Sequence, residues 1–73
     1  MLRHLALSLI LVHGPQGQNI AINANEISSI RMPRDVSQGH FAKGTQCVVI
    51  MTNGKFIATR ETCDEIVGLI GRH

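Results

Sequence analysis

Within these 73 residues, the groups with chemistry to offer are four histidines, two cysteines and one small basic cluster. Arg31, Arg34, His40 and Lys43 gather positive charge with Asp35 as the only opposing group, and Phe41 stands among them as a stacking residue. Side chains of this kind neutralise phosphates without reading sequence. The bland counterpart is a solvated loop. These five residues are the candidate binding surface. Cys63 falls in the first turn of an expected helix, where the dipole and the free N–H groups lower a thiol pKa. Against this stands a small, half-buried residue at a helix start with no resolving cysteine nearby in sequence. Cys47 sits in an apolar run and reads as core. Both are expected as reduced thiols of a cytoplasmic protein, because small secreted scaffolds carry a denser set of paired cysteines.

His4, His13, His40 and His73 are scattered, and no pair has the close spacing of a zinc site. A metal site would need His13, His40 and Cys47 to meet across loops. The GPQG stretch lacks the glycine spacing and the Lys-Ser/Thr pair of a phosphate loop. Asp64 and Glu65 are neighbours, but both have helix-start roles. No nucleophile, base and acid can be assembled, so the expectation is a non-enzymatic protein with no catalytic, cofactor-binding or metal-binding residues.

The chain is short enough to form one domain over residues 1–73 with a thin core. Net charge is +2, too small for a surface built throughout to hold a polyanion. Charged residues make up 16% of the chain, below the usual share of about 25%. A small domain of low charge has reason to associate. Phe41 and Phe56 are the only aromatic residues, which removes the usual platform for single-stranded nucleic acid.

Residues 5–12 form an apolar run after Arg3, as in a signal peptide, but the run is short and lacks an A-x-A-like cleavage site. It is also far below the roughly 20 residues of a membrane span. Leu5, Leu7, Leu9 and Leu11 share one face and Ala6, Ser8, Ile10 and Val12 the other, so a first strand is predicted. HGPQGQ carries turn chemistry, and NIAIN alternates as a second strand. Ile27 and Ile30 cannot share a face in an unbroken strand. Either a bulge or a short helical turn at ANEISSI is required, and a kinked strand pair is the preferred reading. PRDVSQGHFAKG, residues 33–44, reads as a long loop.

TQCVVIM is the clearest strand, rich in β-branched residues. Asn53-Gly54 after it is the preferred pair of a two-residue type I′ turn. That turn would place Phe56 opposite Met51 and Ile57 opposite Ile50. Thr62-x-x-Glu65 fits a capping box, and Ile66, Val67, Leu69 and Ile70 supply the apolar stripe of a helix that Gly71 ends, over about residues 62–71. The predicted fold class is mainly β with one helix (α+β): a curled antiparallel sheet or small barrel of about five strands, with the helix packed against it.

The order HG, IAINANEISSI and TQCVVIMTNGKFIATRETCDEIVGLI resembles the small flagellar FlbD-like family over about two-thirds of the chain. That resemblance implies a shared β-rich architecture and an accessory role in motility, with no catalytic residues to carry over. The residues before Leu7 and the PRDVSQGHFAKG segment depart from the family pattern and point more widely to an accessory protein of similar fold, as in a phage. A looser similarity, a short β-rich chain with Arg60-Glu61 before an apolar helix, is to the carbon storage regulator proteins, which are RNA-binding dimers. The expected function is a small accessory or regulatory interaction module acting through protein contacts, homo-oligomeric as a dimer or larger, with no membrane contact. The alternative is an RNA- or DNA-binding protein that uses the basic 31–43 loop.

Overall fold

The computed structural model describes residues 8–36 and 41–71. Five strands and one helix run in the order β1 (Leu9–His13), β2 (Asn19–Asn23), β3 (Ile27–Arg31), β4 (Cys47–Met51), β5 (Phe56–Thr59) and α1 (Cys63–Ile70). The fold is mainly β, as the sequence predicts. In place of one curled sheet or a barrel, the strands form two antiparallel sheets, β1-β2 and β3-β4-β5.

The step between the sheets contains both features that the isoleucine spacing left open. Ala24–Glu26 is a single 3₁₀ turn, capped by the Asn23 side chain, which accepts from the Asn25 N–H at 3.0 Å. The chain then enters β3 with a bulge, since Ile27 pairs with Met51 but Ser29 pairs with Ile50. Ser28 is the extra residue, and its insertion lets Ile27 and Ile30 both pack against the core.

The β4-β5 register corrects the sequence reading. The amide of Met51 donates to the Lys55 carbonyl at 2.8 Å, and that of Gly54 to the Met51 carbonyl at 2.9 Å. Three residues therefore form the loop, with Gly54 at φ 87° and Asn53 at ordinary negative φ. This is a type I turn closed by a left-handed glycine, and it shifts the pairing by one residue from the type I′ expectation. A one-residue slip changes every face. Val49 pairs with Ile57 and Ile50 with Phe56, so Ile57 joins the core while Phe56 lies outside, 39% exposed.

Ile10, Val12 and Ile22 from the first sheet meet Cys47 and Val49 from the second, and Ile66 of α1 completes the buried cluster. Helix α1 is fixed at its start by the predicted capping box. The Thr62 N–H donates to the Glu65 carboxylate at 2.8 Å, and the Glu65 N–H donates to the Thr62 hydroxyl at 3.1 Å. Of its apolar stripe, Ile66 is buried, Leu69 and Ile70 are half-buried, and Val67 is left outside. Ile10 and Val12, from the first apolar run, are both buried in this core.

Candidate functional site

The second correction concerns the cysteines. Cys47, the first residue of β4, and Cys63, the first of α1, are joined in a disulfide across 16 positions of sequence. Neither is a free thiol, so Cys47 is not available to a metal site with His13 and His40. Both sulfurs lie against the Arg31 carbonyl oxygen, at 3.6 and 3.5 Å. The reading of reduced thiols fails because it weighed how few cysteines the chain has, which says nothing of how the 16 positions between the two are folded. The β4-β5 hairpin folds that distance away and returns the chain to the start of β4. Thr59, fully buried beside the bridge, places its hydroxyl 3.2 and 3.1 Å from the carbonyls of Cys47 and Glu61.

The basic residues singled out in the sequence are dispersed over separate elements. Arg31 ends β3, Arg34 lies in a 3₁₀ turn over Pro33–Asp35, and Lys43 lies in a turn with Gly44. All three are exposed, whereas Phe41 is half-buried. His40 lies outside the described residues. Among the described residues, no hydrogen bond or ion pair joins the members of this set to one another.

A different place has built geometry: the junction of β1 with the segment entering α1. The Arg60 N–H donates to the His13 carbonyl at 2.7 Å. The Glu61 carboxylate accepts from the His13 N–H at 2.8 Å and from its ring Nδ1–H at 2.6 Å. Burial pushes the Glu61 carboxyl up, but the ring and backbone hydrogen bonds from His13 outweigh it and hold the group below its ordinary value of 4.5.

Beyond this clasp, a groove of about 440 Å³ opens between β1 and α1, lined by Leu11, Glu61, Asp64, Glu65, Gly68 and Leu69. Three of those six residues are carboxylates, and among the described residues no lysine or arginine lines it. Leu9 and Leu11 alternate with the buried Ile10 and Val12, and stand 50% and 55% exposed. Sequence reasoning placed Leu9 and Leu11 on one strand face but had no sign of which face would be open. The groove depends on contacts 48 positions apart, between His13 and Glu61.

Among the described residues, no helix is long and apolar enough to cross a membrane, and no three His, Cys, Asp or Glu side chains converge as metal ligands. Compared with protein-family models, with curated proteins and with solved structures, the chain gives no significant match.

Proposed function

We propose that this chain is a non-enzymatic interaction module, a small accessory or regulatory protein that works through protein–protein contacts. One observation carries the reading: β1 is a sheet edge with two large leucines left in solvent beside an open groove. A free, apolar strand edge invites pairing unless the fold covers it. The FlbD-like resemblance supports an accessory context of motility, and the segments that depart from that family's pattern support one of phage type. Assembly of this chain with itself, as a dimer or larger, belongs to the same reading.

The cytoplasmic expectation rested on reduced cysteines, and the Cys47–Cys63 bridge removes that basis. Disulfides persist in oxidising compartments and are rare in the cytosol. An oxidising setting is therefore the one we propose.

The competing reading is nucleic-acid binding through the exposed Arg31, Arg34 and Lys43. The two separate by salt dependence, since phosphate contacts weaken steeply between about 50 and 200 mM salt. Labelled RNA and duplex DNA are titrated at both salt levels, with an Arg34→Ala, Lys43→Ala variant as control. The module reading expects no salt-sensitive binding. Tight binding that is lost in the variant would replace it with the nucleic-acid reading.

A further inference from the structure

We infer that the groove between β1 and α1 is a strand-addition site for an extended basic segment of another protein. The inference rests on the interaction-module reading and names its partner class.

Backbone parity establishes the open edge. In an antiparallel pair, successive residues point their N–H and C=O groups alternately toward and away from the partner strand. His13 points both groups away from β2, toward Glu61 and Arg60. Ser8 points toward β2, since its carbonyl accepts from the Ala24 N–H at 2.7 Å. Leu9 and Leu11 share the parity of His13, so their backbone donors and acceptors face the groove side. Among the described residues, none pairs with them. An incoming strand can take all four groups before the Arg60-Glu61 segment, which already holds His13, stops it.

The helix side of the groove is shaped for close approach. Gly68 is the sixth of the eight residues of α1, and glycine within a helix costs up to about 1 kcal/mol relative to alanine in helix propensity. Among the described residues, nothing outside the helix's own backbone lies within 4 Å of the place where a side chain would start. Its own fold therefore gives no reason for the glycine, whereas a backbone lying along the helix does.

Charge selects the occupant. Glu61, Asp64 and Glu65 line the groove, and the first two of these flank the entry to α1. A second copy that paired its own β1 here would bring an identical acidic set against this one. Like charges facing each other at an interface oppose that pairing. An extended segment with Lys or Arg at alternate positions instead places its charges beside the carboxylates while its backbone pairs with Leu9 and Leu11. Asp64 is the carboxylate left for this contact, because Glu61 holds His13 and Glu65 holds the helix cap.

The probe is a fluorescent peptide of about eight residues alternating Lys and Thr, long enough to span the edge at about 3.3 Å per residue. Its control replaces every Lys with Glu. Fluorescence polarisation gives affinity, and amide NMR shifts give the place. The Lys peptide should bind and shift Leu9, Leu11 and Gly68, while the Glu peptide should not. Asp64→Lys should weaken binding by about tenfold. Gly68→Gln should abolish it with the melting temperature unchanged or raised, since glutamine is the better helix former, so loss of binding cannot be ascribed to unfolding. Equal binding of the two peptides, binding that survives both substitutions, or no binding at millimolar peptide would overturn the inference. If no peptide binds but the leucine amides become protected as the protein is concentrated, the edge pairs with itself: the basic-segment inference fails and the module reading stands. If neither peptide nor concentration protects them, the edge is not an interface and both fail.

Discussion

The two hairpins of this protein close on the same turn and end in opposite situations. Over residues 14–18 the Gly14 N–H donates to the Gln18 carbonyl at 2.8 Å and the Gly17 N–H to the Gly14 carbonyl at 2.9 Å. The bonds across residues 51–55 repeat these partners and distances, and the closing glycines have φ of 89° and 87°. Local code is therefore shared. The difference lies at the far edge of each hairpin. In the second, β4 is paired on both sides, and Cys47, Val48 and Val49 are fully buried. In the first, β1 is paired, among the described residues, by β2 alone, and its far side faces a groove. A central strand gives stability, and a strand with one free edge has backbone groups to offer a partner.

If the β4 side is the stable half, its disulfide should matter most. A bridge closing a loop of 16 positions is worth about 3 kcal/mol in the chain-entropy view. Full reduction should lower the melting temperature by more than about 10 °C for a domain of this size, read by circular dichroism with and without a dithiol reductant. Exchange in β4 and α1 should accelerate in step. An unchanged melting temperature would place the stability elsewhere.

The shared turn predicts a shared cost. Gly17→Ala and Gly54→Ala each force a side chain into left-handed backbone, at about 1–2 kcal/mol. Among the described residues beyond the chain neighbours, neither position is crowded: the nearest atom to a new Cβ at Gly17 is 3.8 Å away, and at Gly54 nothing lies within 4 Å. Matched losses in urea unfolding would confirm that the hairpins differ only in surroundings. A cost at one glycine alone would mean that the turns are not equivalent.

The smallest effect is expected at the clasp that ends the β1 groove. The Glu61 carboxyl is held below its ordinary value of 4.5, so it binds a proton more readily in the unfolded chain. Its stabilisation is present above about 4.5 and is lost as pH falls through the lower folded value. Glu61→Gln should flatten that part of the acid limb in a stability-versus-pH series. An acid limb identical to that of the parent would show that the His13–Glu61 contact contributes nothing to folding.

Much of the fold was legible because its signals are local. Thr62 and Glu65 announce their capping box three residues apart, and Ile27 and Ile30 require a break in the strand, which the 3₁₀ turn before β3 and the bulge within it supply. Where the reading failed, the deciding fact was a single dihedral or a long-range contact. Asn53-Gly54 suits two turns, and only the negative φ of Asn53 separates them; the choice moved Phe56 out and Ile57 in. The pairing of Cys47 with Cys63, and of His13 with Glu61, needs the hairpin and helix in place first. The basic residues were conspicuous in sequence but are spread over three elements, while the groove draws on Leu11, an entry segment and a helix that no local pattern connects.

Amide hydrogen exchange along β1 tests the central claim most directly. Ile10 and Val12 point their N–H groups at β2, whereas Leu9 and Leu11 point theirs toward the groove. The open-edge account predicts slow exchange at Ile10 and Val12 and fast exchange at Leu9 and Leu11 in the dilute protein. Equal protection at all four would show the edge already closed, and would contradict it.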